Sequence, residues 1–128
     1  MIYLDSSVAL AHLFGEGKVP SAPFWTAPLV SSRLLEYEVW HRIHARGAGA
    51  VLFDAVEALF ELVSFTELAR PILARALKPW LTPVRTLDGL HLATIEFLRA
   101  EGDPVELASY DHRLLAVAGA LGIAIVTL

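Results

Sequence analysis

The sequence predicts an α/β fold in which a central parallel sheet lies between two layers of helices. Three observations support this class. Short apolar segments alternate with amphipathic ones along the chain, glycine or proline marks most junctions, and the length is 128 residues. Parallel strands need long crossover connections, which the intervening helices supply. A chain of this length normally forms one domain, so we expect a single three-layer α/β/α domain over residues 1–128.

The first half of the chain contains clear start and stop signals for its elements. Asp5 follows the first apolar segment directly and is a favoured helix N-cap, while Gly15 closes that helix. Ser31 or Ser32 caps the second helix, and Pro79 ends the fourth. Residues 20–28 contain several prolines and predict an irregular segment. We predict strands over residues 2–4, 29–30 and 62–65, and helices over residues 8–14, 33–46, 50–59 and 67–77.

The second half repeats the alternation. Thr86 is expected to cap a long helix over residues 87–100, which Gly102 closes. An apolar segment after Gly102 predicts the fourth strand, and Asp111 follows it as an N-cap of the next helix. We predict strands over residues 105–109 and 123–127, with a helix over residues 112–121.

Composition excludes several classes of protein. The chain has no cysteine, which rules out disulfides, thiolate metal sites and cysteine nucleophiles. Its net charge is −4, so it lacks the basic surface typical of duplex-binding domains. The longest uncharged stretches are interrupted by proline or are shorter than a membrane-spanning helix, and no signal peptide precedes Asp5. We therefore expect a cytoplasmic protein whose surplus apolar surface is covered by a partner or a second copy.

Four acidic residues are the strongest functional signal. In an open parallel sheet, ligands bind beyond the carboxyl ends of the strands. Asp5 follows the first strand and Asp111 the fourth, at that edge of the sheet. Glu38 and Asp88 lie near the starts of helices that lead away from the same edge. Each acid alone is explained as a helix cap or as a complement to a helix dipole, so only the combination points to a site.

Helical spacing separates the two candidate acids of the second helix. Glu38 falls between Leu34 and Leu35 on the apolar stripe of that helix, whereas Glu36 lies at the edge of the stripe. A carboxylate within an apolar stripe faces the interior of the fold. We predict Glu38 as the site residue, with Glu36 as the alternative. Asp88 similarly shares a stripe with Leu92 and Ile95.

Four carboxylates directed at one sheet edge require a compensating positive charge, because burying isolated carboxylates costs several kcal/mol each. No lysine lies near these acids, although Arg33, Arg42, Arg85 and Arg113 are close in sequence. A single divalent cation, which prefers hard oxygen ligands, is the simplest solution. A metal site formed by the four acids is the resulting prediction.

Each of the four acids also lies in a recognisable segment. The segments are Ile-Tyr-Leu-Asp-Ser-Ser around Asp5, Leu-Leu-Glu-Tyr-Glu-Val-Trp-His-Arg around Glu38, Leu-Asp-Gly-Leu-His-Leu-Ala-Thr around Asp88, and Ser-Tyr-Asp-His-Arg-Leu around Asp111. In this order they resemble the motifs of PIN-domain ribonucleases, particularly the VapC-type toxins of toxin–antitoxin pairs. The resemblance implies an endoribonuclease that binds Mg²⁺ or Mn²⁺ through Asp5, Glu38, Asp88 and Asp111. It also implies a homodimer, an RNA substrate and a cognate antitoxin.

The match has two departures. Family members often have an arginine three residues after the helical glutamate, where this chain has His41 followed by Arg42. The identity of the basic group that faces the substrate is therefore open. The family's acidic cluster sometimes includes a further acid beyond the last motif Asp, whereas here His112 and Arg113 follow Asp111 directly. A site with three firm metal ligands and Asp111 as a more peripheral one is therefore an open alternative.

Other residues complete the hypothesis. Ser7 and Ser109 are candidates for orienting the carboxylates, or are simply turn residues. Single-stranded RNA, recognised by stacking, suits a local acidic cleft better than duplex DNA does. Four aromatic side chains could stack on bases or fill the core: Trp25, Tyr37, Trp40 and Trp80.

Two other hypotheses compete with the ribonuclease hypothesis. Glu38 and His41 have the Glu-x-x-His spacing of di-iron carboxylate bundles, with Asp88 and His91 as a variant second copy. Predicted strands argue against a bundle, and we expect His91 to be a hydrogen-bonded core residue. The second alternative is a non-catalytic module of the same fold that binds RNA or protein.

Overall fold

The computed structural model describes residues 1–128 and contains one five-stranded sheet in which every paired strand is parallel. The strand order is β3-β2-β1-β4-β5, with the first strand at the centre. The strands are β1 Ile2–Leu4, β2 Leu29–Ser32, β3 Val63–Thr66, β4 Glu106–Ala108 and β5 Ala124–Ile125.

Helices connect the strands and cover both faces of the sheet. They are α1 Ser6–Phe14, α2 Leu34–Ala45, α3 Gly49–Glu61, α4 Arg70–Ala76, α5 Thr86–Ala100 and α6 His112–Ala120. The predicted three-layer α/β/α class is therefore confirmed. None of these helices combines the length and the hydropathy needed to cross a membrane.

Most element boundaries agree with the sequence prediction, and the differences have local causes. The irregular segment before β2 contains a short 3-10 helix, Ala22–Thr26, with Pro23 in its first turn. Helix α4 begins at Arg70, later than predicted, because Pro71 occupies its first turn. Thr86 is not a cap: it is the first residue of α5, and Arg85 occupies the N-cap position without a side-chain cap bond.

The core consists of two apolar layers separated by the sheet. Side chains alternate between the faces of β1, so Leu4 packs into one layer and Tyr3 into the other. Helices α1, α2 and α3 cover the Leu4 face, and α5 and α6 cover the Tyr3 face. The fully buried members include Val8, Leu35, Val39 and Ile43 in the first layer, and Leu92, Ile95, Leu107 and Leu114 in the second.

Strand order places a crevice at the carboxyl end of β1. The chain runs from β1 outward through β2 to β3 and then returns to pair β4 with the other side of β1. This reversal between β1 and β4 is the topological switch point, where open α/β sheets bind ligands. The backbone N–H of Asp5 donates to the carbonyl of Ala108 at 3.1 Å, so the residues that follow the two strands are neighbours.

Candidate functional site

A cavity of about 390 Å³ opens at this switch point. All four predicted acids line it: Asp5 after β1, Glu38 on α2, Asp88 on α5 and Asp111 after β4. The structure therefore brings together four carboxylates from four separate segments of the sequence. The remaining lining residues are Ser6, Ser7, Leu10, Arg42, Arg85, Thr86 and Leu87.

Asp5 is buried and is held by two hydroxyl groups. Its Oδ2 accepts hydrogen bonds from Ser7 Oγ at 2.5 Å and from Ser109 Oγ at 2.7 Å. The same oxygen accepts a weaker hydrogen bond from the Ser7 N–H at 3.3 Å. This bond makes Asp5 the N-cap of α1. Oδ1 has no hydrogen-bond partner in the protein. Asp5 is therefore both a cap and an oriented cavity carboxylate. Ser7 and Ser109, which the sequence left open as orienting groups or turn residues, both bind it.

Glu38 is held by a buried histidine. One of its carboxylate oxygens, Oε1, contacts His91 Nε2 in a short hydrogen bond, and the second oxygen has no partner. His91 is 1% exposed, and its Nδ1 is hydrogen-bonded to the Tyr3 hydroxyl at 2.7 Å. The Tyr3 oxygen in turn accepts from the Ser32 N–H at 3.2 Å. This chain links the sheet to α2 through α5 and fixes the orientation of Glu38.

The environment of His91 favours its charged form. Burial alone would lower the pKa of His91, but the hydrogen bond and negative charge of Glu38 outweigh it, with smaller contributions from Asp5 and Asp88, so the pKa is raised. Burial raises the pKa of the Tyr3 hydroxyl strongly, which keeps that group neutral. The contact with Glu38 therefore favours proton binding by His91.

Asp88 and Asp111 share one arginine. The Arg85 guanidinium contacts Asp88 Oδ2 through Nε at 2.7 Å, and its NH2 group reaches Oδ2 of both acids. The second oxygen of Asp111 caps α6 by accepting from the N–H of Arg113 at 3.0 Å and of Leu114 at 3.4 Å. Both Asp111 oxygens are thus occupied, whereas Asp88 Oδ1 has no hydrogen-bond partner.

The two acids beside Arg85 respond differently to their surroundings. Burial raises the pKa of Asp88, and Arg85 only partly offsets it, so the net shift is upward. Burial also acts to raise the pKa of Asp111, but Arg85 and the N–H groups of Leu114 and Arg113 outweigh it, so the pKa is lowered. Asp88 is therefore the acid with the less compensated charge.

The sequence placed Arg85 among four arginines near the acids but did not assign it a pairing. A divalent cation was preferred as the compensating charge, but Arg85 already pairs with two of the four acids. Its position three residues before Asp88 was the available signal, because that spacing places two side chains side by side at a helix start. Glu36, the alternative to Glu38, pairs instead with Arg33 at 3.0 Å and does not line the cavity.

The donor set fits a hard divalent cation in its chemistry. Asp5, Glu38 and Asp88 each present one carboxylate oxygen without a hydrogen-bond partner, and carboxylate oxygens are the ligands that Mg²⁺ and Mn²⁺ prefer. No three of the His, Asp and Glu side chains stand at metal-binding spacing. Arg85 accounts for part of this arrangement, since it holds Asp88 and Asp111 in ion pairs.

Fold and cavity together define an α/β protein with an acidic site at the switch point of a parallel sheet. The chain belongs to the PIN domain family, whose model matches residues 2–127. No curated protein is significantly similar to it in sequence.

Among solved structures, the chain is similar to the crystal structure of VapC20 from Mycobacterium tuberculosis, described as a toxin that cleaves the sarcin–ricin loop. The TM-score is 0.68 at 17% sequence identity, and the match covers 91% of this chain and 94% of VapC20. At this identity the likeness supports the fold. The di-iron alternative is wrong, because the chain forms a parallel sheet and not a helix bundle.

Proposed function

We propose that this protein is a Mg²⁺- or Mn²⁺-dependent endoribonuclease and the toxin of a toxin–antitoxin pair. The observation that supports it most directly is the convergence of Asp5, Glu38, Asp88 and Asp111 on one cavity. The four carboxylates outnumber the two arginines that line the cavity, Arg42 and Arg85, and the remaining negative charge suits a divalent cation. Membership of the PIN domain family supports the same activity.

Each acid has a proposed role. Asp5, Asp88 and Asp111 hold the ion directly or through water, and Asp111 is the more peripheral because both its oxygens already have protein partners. Glu38 either contributes to binding a second ion or orients the attacking water through its free oxygen. When bound, the ion would neutralise the phosphate and lower the pKa of a water ligand.

The surrounding residues prepare the acids for this chemistry. Ser7 and Ser109 fix the Asp5 carboxylate, which limits its rotation and keeps Oδ1 directed away from the hydroxyl groups. His91 fixes the Glu38 carboxylate in the same way.

In the hydrolysis, a water oxygen forms a bond to phosphorus as the bond to the 3′-oxygen breaks. One water proton ends on the 3′-oxygen, and the products are a 5′-phosphate and a 3′-hydroxyl.

RNA is the proposed substrate because the cavity is small, acidic and poor in cations. Such a site suits a splayed single strand or loop, which proteins read by stacking and shape. The similarity to VapC20, a toxin that cleaves the sarcin–ricin loop, supports this substrate class. We further propose that the chain is a single domain, acts in the cytoplasm as a homodimer, and is neutralised by an antitoxin protein.

One observation favours an alternative, a PIN-fold module that binds RNA or protein without cleaving it. Arg85 bridges Asp88 and Asp111, and no three candidate ligands stand at metal-binding spacing. A module that only binds RNA or protein would need no rearrangement of these side chains. A metal-dependent enzyme would require the contacts of Arg85 with Asp88 and Asp111 to break when the cation binds.

Cleavage assays distinguish the two. Purified protein is incubated with total RNA in Mg²⁺ and in EDTA, and the new ends are mapped. We expect cleavage in Mg²⁺ alone, with 5′-phosphate ends, and its loss in Asp5→Asn. Glu36→Gln is the matched control, because Glu36 lies on the same helix as Glu38 but outside the cavity. Cleavage that persists in EDTA would contradict the metal mechanism, and RNA binding without cleavage would favour the module.

A further inference from the structure

A second, smaller cavity adjoins the acidic one. Its volume is about 210 Å³, and the two cavities share Ser6, Leu10, Glu38, Arg42 and Leu87 as lining residues. Only two residues line the smaller cavity alone, Tyr37 and His41. An aromatic ring and an imidazole therefore line a cavity that shares Glu38 with the acidic one.

Tyr37 and His41 form a ring stack at the edge of this cavity. They lie one turn apart on α2, with ring centroids 5.6 Å apart and planes inclined by 23°. Tyr37 is 61% exposed, an unusual state for a large aromatic side chain in a folded domain. Its hydroxyl makes no hydrogen bond within the protein. The stack is thus preformed and accessible.

The other predicted stacking residues are already engaged elsewhere. Trp25 packs against Phe24 and His12 with ring centroids 4.9 and 4.5 Å away. The Arg75 guanidinium covers Trp80 at 3.6 Å. Trp40 stacks on His44 and lines a different cavity, between α2 and α3. Of the four aromatic residues proposed from sequence, only Tyr37 lines a cavity continuous with the acidic one.

Arg42 stands between the two cavities. It lines both and is exposed, and it forms no ion pair with any acid in the protein. By contrast, Arg33, Arg75 and Arg85 each pair with at least one carboxylate. A guanidinium at the rim of an acidic cavity, without a partner of its own, is available to bind a phosphate bidentately.

We infer that the Tyr37–His41 stack is a subsite for one base of a single-stranded RNA. The base stacks on the Tyr37 ring while Arg42 binds a phosphate of the same strand, which leads the backbone into the acidic cavity. Aromatic stacking of this kind binds every base, and Arg42 supplies an unpaired cation in the lining of both cavities. The inference rests on the proposed ribonuclease function, since it assigns a substrate-binding role beside that site.

The test uses fluorescence of a single-stranded octa-adenylate containing one 2-aminopurine, with EDTA present so that no cleavage occurs. We expect binding to quench the probe, and Tyr37→Ala to abolish the quenching and raise Kd about tenfold. Tyr37→Phe keeps the ring and should bind within about twofold of the parent protein. Phe53→Ala is the matched control, an exposed aromatic that lines the separate α2–α3 cavity, and should change nothing.

Kinetics on a cleaved RNA separate the subsite from the catalytic site. Tyr37→Ala should raise KM about tenfold with little change in kcat, and an abasic nucleotide at the stacked position should remove most of the difference between variant and parent. If Asp5→Asn abolishes cleavage but Tyr37→Ala leaves KM, Kd and quenching unchanged, the subsite is wrong and the ribonuclease stands.

Two further outcomes are informative. Binding of the octa-adenylate that depends on Tyr37, in a protein that never cleaves RNA in Mg²⁺, would support the subsite and refute the ribonuclease. A parent protein that fails to bind the octa-adenylate would overturn the subsite. Because Tyr37 is exposed, Tyr37→Ala should melt with the parent protein, and this comparison guards against loss of fold.

Discussion

The acidic cavity has two halves that hold their carboxylates in different ways. In the inner half, Asp5 and Glu38 are bound by side chains that are themselves buried, Ser109 at 4% exposure and His91 at 1%. In the outer half, Asp88 and Asp111 share the guanidinium of Arg85, whose side chain is 47% exposed. Fixed neighbours surround the inner acids, whereas one solvent-exposed guanidinium partly compensates the charge of the outer two.

This difference indicates a division of labour. A carboxylate oriented by buried groups keeps one position whether or not a ligand is present. An ion pair with an exposed arginine is weak and can be exchanged for another cation at low cost. The inner half is therefore the preorganised part of the cavity. Under the proposed function, we expect the outer half to be the part that adjusts when a metal ion and RNA bind.

The largest expected effect compares one acid from each half. Asp5→Asn should lower RNA cleavage by about 100-fold or more, because it removes a charge from the preorganised half. Asp111→Asn should cost only about tenfold, since both oxygens of Asp111 already serve protein partners. Initial rates in Mg²⁺ measure both.

Asparagine can still cap α1 and α6, so urea denaturation should show both variants folded. Equal losses in the two variants, or a greater loss for Asp111→Asn, would break the proposed division between the halves.

Stability gives the second comparison. His91→Ala leaves Glu38 without its buried partner and should lower the free energy of unfolding by about 3 kcal/mol. Arg85→Ala, in the outer half, should cost less than about 1 kcal/mol because its ion pairs are exposed. Urea denaturation in EDTA measures both values, with the exposed His112→Ala as a control. A similar cost for His91→Ala and Arg85→Ala would contradict the contrast.

The pH dependence of stability tests the inner half alone. The pKa of His91 is raised above its ordinary 6.5 in the folded protein, so the folded state binds this proton more tightly than the unfolded state does. The resulting stabilisation is complete below pH 6.5 and is lost as pH rises through the folded-state pKa. The slope cannot exceed about 1.4 kcal/mol per pH unit for one proton.

The measurement compares the unfolding free energies of the parent protein and His91→Gln from about pH 6 to about pH 9. Because the other histidines are common to both proteins, the difference isolates the contribution of His91, and we expect it to shrink as pH rises. If the parent protein's advantage in unfolding free energy over His91→Gln grew with pH, the raised pKa of His91 would be contradicted.

The smallest expected effect is on metal binding at the outer half. Arg85→Gln should tighten Mn²⁺ binding about fivefold, equivalent to about 1 kcal/mol, because the ion no longer competes with an exposed guanidinium. Titration calorimetry on the parent protein and the variant measures it without any cleavage assay. Arg33→Gln, which breaks a comparable exposed ion pair away from the cavity, should have no effect. Weaker Mn²⁺ binding in Arg85→Gln would show that Arg85 supports metal binding, and would contradict the expected competition between Arg85 and the ion.

Sequence patterns predicted the features that depend on local spacing. The alternation of apolar segments predicted the parallel sheet, and the carboxyl-end rule placed Asp5 and Asp111 at one edge. Helical phase favoured Glu38 over Glu36, and Glu38 is the one that lines the cavity. Each of these rests on residues within a few positions of one another, where periodicity is informative.

Features that depend on tertiary packing were not predictable in the same way. His91 was expected to be a hydrogen-bonded core residue, but its partner Glu38 lies 53 positions away and no local pattern links them. Arg85 neutralises Asp111 across 26 positions, and this pairing follows only from the meeting of α5 with the end of β4. Thr86 has a residue type that suits a cap, but the backbone turns one residue earlier and leaves it inside the helix.

The central position of β1 has a consequence for protein synthesis. Asp5 leaves the ribosome well before Ser109, whose hydroxyl helps to orient it and which lies 104 positions later. One edge of β1 also stays unpaired until β4 has been translated. A nascent chain that stops before β4 has neither the completed sheet nor the fourth carboxylate. The acidic cavity therefore forms only after β4 and Asp111 have been translated, and fragments that stop before β4 lack it.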